Sequence, residues 1–311
     1  MQKTVSTKEL IRNKDKISFI KMKFEKIIPF FLFALASVSI LTTLGILSTL
    51  IYETVLFFRE VSIIEFFTNT EMKPLSRVDP TFSILPLLTG TVLISLVAML
   101  VAIPIGLTTA IYLSEYASAN TRKIFKPIIE VLAGIPTIVY GFFAFTFVTP
   151  VLREFIPALQ STNALSPGIV MGIMIIPLVA SLSEDAMSAV PKAMREGALA
   201  LGATKLEVTF RVVIPAAISG IIASFVLGIS RAIGETMIVT IASGSSKNFT
   251  FDITQSMQTM TAYIVEVTSG DAGAGTTAYY SLYAVAFALF FFTLLMNMFA
   301  RYISRKYREA Y

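Results

Sequence analysis

Residues 188–221 read SAVPKAMREGALALGATKLEVTFRVVIPAAISGI, a polar-faced interruption between two long apolar runs. Pro191 predicts a helix start, the periodicity carries that helix through Leu201, and Gly202 supplies its stop. Thr204 followed by Glu207 is the pattern of a capping box and predicts a second short helix. Pro215 then punctuates the return to apolar sequence. Ala193, Gly197 and Ala198, with Leu201 beyond, place small side chains on one face of the first helix. Such a helix suits two settings, the surface of a membrane or a groove in another protein that a bulkier face could not enter.

The sequence around this stretch excludes a soluble domain. Of 311 residues, 55% are hydrophobic and 14% are charged, against about a quarter charged in ordinary soluble proteins. Six apolar spans can be drawn, at 27–51, 83–113, 127–149, 167–184, 216–243 and 278–301, several longer than the roughly 20 residues a helix needs to cross a bilayer. The expectation is an all-α polytopic membrane protein. The first span follows a 26-residue basic tail, and its apolar run exceeds the 7–15 residues of a secretory signal, which favours a retained anchor. Asp79-Pro80 and Ser166-Pro167 read as helix starts for the second and fourth spans.

Missing residue types remove further functions. Without histidine there is no Ser-His relay and no His-bound zinc; without cysteine there is no disulfide, cluster or thiol nucleophile. No phosphate-binding loop of the form G-x-x-x-x-G-K-[ST] occurs, so no ATP hydrolysis is expected from this chain. No catalytic residue, resident cofactor or metal is expected.

The net charge of +5 reflects topology. Nineteen Lys and Arg fall on one side of the spans: eight in the tail, then Arg122, Lys123 and Lys126, then Lys192, Arg195, Lys205 and Arg211, then Arg301, Arg305, Lys306 and Arg308. Five fall on the other, namely Arg59, Lys73, Arg77, Arg153 and Lys247. Positive loops stay cytoplasmic, so both termini are expected inside and no nucleic-acid partner is implied. Segments such as TGTVLISLVAML (89–100) and LAGIPTIVYG (132–141) are rich in small residues, which suits close helix–helix packing. Pro104, Pro136 and Pro177 lie inside predicted spans.

Within LGISRAIGETMIV (227–239), Arg231 and Glu235 are expected to share one helix face at i, i+4, near the middle of the fifth span. Each charge costs about 2.5–3.5 kcal/mol at the bilayer centre on insertion scales, so they need a partner or a wet cavity. Gly228 and Gly234 leave room for another helix or a ligand. Two readings follow: a structural ion pair that locks packing, or an arginine that attracts an anion while Glu235 holds it between substrates. Glu130 and Glu184-Asp185 are expected to be interfacial or loop-packing groups.

Glu196-Gly197-Ala198, then Gly202, then Val212, Ile214 and Pro215 resemble the EAA loop of ABC-importer permeases, a pattern of E-A-A, three residues, G, nine residues and I-x-L-P. The spacing matches throughout; Gly197, Val212 and Ile214 depart mildly from it. In that family the loop docks in a groove of a separate ATPase subunit. SLSEDAMSAVPKAMREGALALGAT (181–204), LAGIPTIVYG, SRAIGETM (230–237) and GDAGAGTTAYYSLYAV (270–285) resemble the PstC family of phosphate-importer permeases more than the sister PstA family.

The resemblance implies six transmembrane helices in type I importer (MetI-like) architecture. It implies a cytoplasmic basic tail at 1–26, a first transmembrane helix and outer segment at 27–80, and a permease core at 81–306 with its coupling loop at 185–215. It further implies Arg231 and Glu235 in the substrate pathway, and Glu196, Gly197, Ala198, Gly202 and Pro215 in coupling to the ATPase. The implied partners are a homologous PstA-like permease, a PstB-like ATPase dimer that binds ATP-Mg, an external PstS-like phosphate-binding protein and membrane lipid, in a bacterial inner membrane. Sulfate and molybdate permeases share part of the Arg231 motif, so another oxyanion stays open; an intramembrane enzyme and a stand-alone anion channel are readings from other classes.

Overall fold

The computed structural model describes residues 7–76, 79–273 and 275–306. Lys3, Arg77 and Arg308, all part of the charge count, lie outside them. The described regular structure is helical, apart from isolated bridges pairing Glu71 with Asn248 and Lys73 with Thr81. In chain order the helices are α1 (Thr7–Glu60), α2 (Ile63–Thr68), α3 (Leu85–Ile111), α4 (Ala119–Ala133), α5 (Thr137–Phe143), α6 (Thr149–Phe155) and α7 (Leu165–Ser188). They continue with α8 (Lys192–Ala200), α9 (Lys205–Val208), α10 (Ile214–Ile233), α11 (Met237–Ala242), α12 (Met260–Glu266) and α13 (Thr277–Lys306). π-helical turns extend α3 over Tyr112–Tyr116, join α5 to α6 over Ala144–Val148, and join α9 to α10 over Thr209–Val213.

Among the described residues, six segments are long and apolar enough to cross a membrane: Ile28–Glu60, Leu85–Tyr116, Thr137–Phe155, Leu165–Ser188, Lys205–Ile233 and Thr277–Phe299. The chain divides between Tyr52 and Glu53 into two compact units. The first contains most of α1, whose apolar side chains from Ile28 onward are largely exposed. In the second, 61% of the α7 span and 50% of the α3 span are buried against 11% for α13, which makes α3 and α7 the central pair. Small residues set their approach: a Cβ at Gly172 would lie 2.7 Å from the Ala98 carbonyl oxygen, so only glycine fits. One apolar core joins α3, α7, α10 and α11 through Ala98, Met171, Ile175, Ala232 and Val239. A second stacks Phe57 edge-to-face on Phe66 and Phe82. A third lies beneath α8 and α9, around Met187, Val208, Val213 and Ile221.

Four predicted features are corrected. The third span does not run through 127–149. Pro136 itself leaves the helical region (φ −58°, ψ 135°), its ring disfavours a helical residue before it, and it becomes the cap of α5 instead of a proline inside a helix. Residues before the break form α4, an amphipathic helix capped by Ser118, with no buried residue and with Glu130 exposed. The fifth span stops at Gly234, between α10 and α11, and does not continue to 243. Asp79-Pro80 does not open the second span; α3 begins at Leu85 with Pro86 in its first turn. Ser166 lies inside the first turn of α7, and Asn163 Oδ1 accepts the Ser166 N–H at 2.7 Å in the role assigned to it. Pro104 and Pro177 do lie within helices.

Candidate functional site

The break between α10 and α11 places two charges back to back. Arg231 occupies the last turn of α10, where a cation is favoured by the helix dipole, and its side chain is exposed. Among the described residues its one hydrogen-bond partner is the thioether sulfur of Met174, 3.8 Å from Nη2, a weak acceptor. Glu235 is buried, at 9% exposure, and its Oε1 accepts the backbone N–H groups of Thr236 and Met237 at 3.1 Å and of Ile238 at 3.5 Å. The carboxylate therefore caps α11, whose N-terminus favours an anion. Three backbone donors turned to this oxygen cannot continue the helix of α10, which is why the span breaks here. The expected i, i+4 face is absent: among the described residues no ion pair joins Arg231 to Glu235, and each charge is settled by its own helix end.

Neighbouring elements hold the break in place. The Thr261 hydroxyl donates to the Glu235 carbonyl at 2.7 Å, and Thr91 Oγ1 on α3 accepts the Met260 N–H at 3.0 Å. Ser230 donates to Asn297 Oδ1 at 2.9 Å, tying α10 to α13. Gly228 allows close packing with Met99 and Ile175, whereas exposed Gly234 meets nothing beyond its own turn. The segment after α11 is bound to the loop before α7: Gln160 N–H donates to Thr254 O at 3.0 Å and Asn163 N–H to Ala242 O at 3.2 Å. In that segment the Asp252 carboxyl is held below its ordinary pKa by the Thr254 hydroxyl and N–H and by Gln255. Burial pushes the Tyr263 phenol of α12 above its ordinary pKa.

At the other end of the bundle the helix–turn–helix takes its expected form. Pro191 caps α8, Gly202 turns the chain with φ +89°, and the reciprocal Thr204–Glu207 capping box is complete. The second helix is not separate: α9 runs through a π turn into α10, and Pro215 sits in the first turn of α10, beyond the loop. Glu196, Gly197 and Leu201 are exposed, Leu201 at 90%, and a Cβ at Gly197 would meet nothing within 4 Å. Ala198 faces inward onto the third core.

The sequence reading missed how α8 is held. Arg195 donates to both carboxylate oxygens of Glu115, at 3.0 and 3.3 Å, and to the carbonyls of Met187 and Val190. Glu184, 1% exposed, is gripped by Arg122 and by Lys126 at 2.9 Å, and Lys126 also reaches Asp185 at 2.9 Å. Glu184 and Asp185 thus pack against α4 as the loop-packing groups expected of them. Arg195 and Glu115 stand 80 residues apart, so no local spacing could reveal them, and as a loop cation Arg195 registered only as topology.

A family model described as "Binding-protein-dependent transport system inner membrane component" matches residues 102–309, which include both regions. The chain is 32% identical over 246 residues to the probable ABC transporter permease protein YqgH of Bacillus subtilis (strain 168), covering 79% of each chain. It is also 32% identical over 258 residues to the phosphate transport system permease protein PstC of Xylella fastidiosa (strain 9a5c), covering 76% of this chain and 78% of the relative. Among solved structures it is similar to a bacterial alginate ABC transporter in complex with alginate pentasaccharide-bound periplasmic protein. That match has a TM-score of 0.64 and 15% identity, and covers 90% of this chain and 96% of the other, a likeness of fold.

Proposed function

The chain belongs to the binding-protein-dependent transport system inner membrane components, the permeases of ABC importers, and from that premise we propose that its cargo is inorganic phosphate. The observation that carries the reading is a cation well inside a predicted span, away from its ends. Arg231 is exposed at a helix break, with no carboxylate partner among the described residues. A guanidinium stays charged at any working pH and offers a planar fork that matches two phosphate oxygens. Relatives named for phosphate transport support the choice of anion, and sulfate or molybdate is the alternative.

In this reading Glu235 does not compete for the arginine. It holds α11 at a fixed angle and leaves Arg231 free for the anion, while the thioether beside it adds little affinity, so the anion can leave again. The exposed face of α8, from Glu196 through Gly202, docks on a PstB-like ATPase, which binds ATP-Mg and supplies the energy. A PstA-like permease forms the other half of the pathway, and a PstS-like binding protein delivers phosphate from outside. Both termini are cytoplasmic, a reading that the charge asymmetry supports, and the membrane is the bacterial inner membrane. Domain limits follow the same reading: tail 1–26, first helix and outer segment 27–80, core 81–306.

Uptake of radiolabelled phosphate by cells expressing the assembled importer, with sulfate, molybdate or arsenate in excess, tests the cargo. Competition by arsenate alone is expected. Loss of phosphate uptake to sulfate or molybdate, with their own accumulation, would move the assignment to another oxyanion.

A further inference from the structure

A pocket of about 520 Å³ opens where the end of α3, the start of α4, the end of α7, α8 and α9 come together. Four cations line it, Arg122, Lys192, Arg195 and Lys205, with the hydroxyls of Ser114 and Ser188 and one carboxylate, Glu115. We propose that this pocket binds a phosphate-class anion, free inorganic phosphate or the headgroup of an anionic membrane lipid, between Lys192 and Lys205. It is distinct from the pathway at Arg231, and it faces the cytoplasm under the topology above.

The charge balance carries the assignment. Glu115 is fully engaged: Arg195 meets both its oxygens and the Ser114 hydroxyl donates to Oε1 at 2.9 Å. Arg122 and Lys126 are matched by Glu184 and Asp185. Glu207 has its own partners, accepting from the Thr204 N–H at 2.9 Å and pairing with Arg211 at 3.8 Å. Once these pairs are set aside, Lys192 and Lys205 remain, neither in an ion pair among the described residues. Two uncompensated positive charges on a concave wall fit the one to two negative charges of a phosphate or phosphodiester.

Position supports the same ligand. The Lys205 ammonium is held 5.0 Å from the centre of the Tyr116 ring, a cation–π contact that fixes it at the rim without neutralising it. Lys192 is the first residue of α8, a nine-residue helix with no side-chain cap, so the positive end of that helix adds to its charge. Leu199 and Val208 complete the wall with apolar surface, which suits the glycerol end of a lipid as well as a free ion. A ligand bridging Lys192 and Lys205 would join the two arms of the turn at Gly202.

The importer, assembled with its ATPase and partner permease, serves as the material. In nanodiscs of phosphatidylcholine, inorganic phosphate binding is measured by equilibrium dialysis; in nanodiscs containing phosphatidylglycerol, lipid retained on the complex is counted by native mass spectrometry. Lys192→Gln with Lys205→Gln should weaken whichever ligand binds by about tenfold or more, Lys192→Arg with Lys205→Arg should preserve it, and Arg231→Gln should leave it in place. Phosphate binding in neutral lipid that responds in this way identifies the free ion; retention of phosphatidylglycerol that responds identifies the headgroup. In the unmodified complex either ligand should also shield Lys192 and Lys205 from acylation, a reading that no folding defect can blur. Equal binding by wild type and the double Gln variant would overturn the proposal, and so would acylation of Lys192 and Lys205 in the unmodified complex that neither ligand slows, or loss of all binding in Arg231→Gln alone. Transport of sulfate in place of phosphate would leave it untouched, since the pocket is separate from the cargo.

Discussion

At the end of the bundle that carries α8, buried acids meet bases: Glu115 takes Arg195, and Glu184 takes Arg122 and Lys126 across 58 or more residues of chain. At the break between α10 and α11 two opposite charges four residues apart ignore each other, one capping a helix and one left exposed. Proximity in sequence therefore says little about pairing. Charges that hold a frame are matched by tertiary contacts, whereas helix ends can settle a charge alone and leave its neighbour available to a ligand. The contrast separates scaffold from site, and it can be broken or sharpened by substitution.

The largest effect is expected at Arg231. Arg231→Gln should reduce phosphate uptake about 100-fold, the loss of two hydrogen bonds to a charged group, with normal yield of the assembled complex. Arg231→Lys, which keeps the charge and loses the fork, should be intermediate. Wild-type uptake in Arg231→Gln would remove this residue from the pathway; loss of assembly would return it to the frame.

Next come two double-mutant cycles read by thermal unfolding of the complex. Glu115→Gln with Arg195→Gln should show a coupling of about 1–3 kcal/mol, since either single change strands a half-buried charge. Glu235→Gln with Arg231→Gln should show less than about 0.5 kcal/mol, since the two do not touch. In the second cycle the double variant should be no more active than Arg231→Gln alone. A large coupling there, or transport restored in the double variant, would mean that the two residues pair in a working state of the importer.

Gly202→Leu is the smallest expected change in stability, about 1 kcal/mol for a side chain forced to φ +89°. Among the described residues, nothing beyond its chain neighbours lies within 4 Å of the Cβ position, so the fold has room for a side chain there. Loss of ATPase from the purified complex, with membrane insertion intact, would assign this face of the turn to docking. Retention of ATPase and of uptake would place the docking surface elsewhere.

Much of this molecule is dictated locally and is therefore visible in the chain alone. Long apolar runs must become helices in a bilayer because their backbone groups have no other partner there. Pro191, Gly202 and the Thr204–Glu207 pair shape the α8 turn through contacts three or four residues apart, and the turn formed as expected. Misreadings arose where a local signal had a competitor. Pro136 was placed inside a span, yet its own backbone turns to ψ 135°, so that one helix ends before it and α5 starts after it. Glu235 was paired by spacing with Arg231, yet three unsatisfied N–H groups at the start of α11 lie closer to its carboxylate than any guanidinium.

Composition and spacing by themselves determined the class, the number of spans and the helix–turn–helix at Gly202. Only the tertiary structure decided what each charge does. The partners of Glu115, Glu184 and Lys205 come from other helices, and which helix end or distant base a charge meets depends on how α3, α4, α7 and α8 pack together. Helix formation is governed by neighbours within one turn, while electrostatic pairing is governed by neighbours in space, and folding brings those together without regard to their distance along the chain.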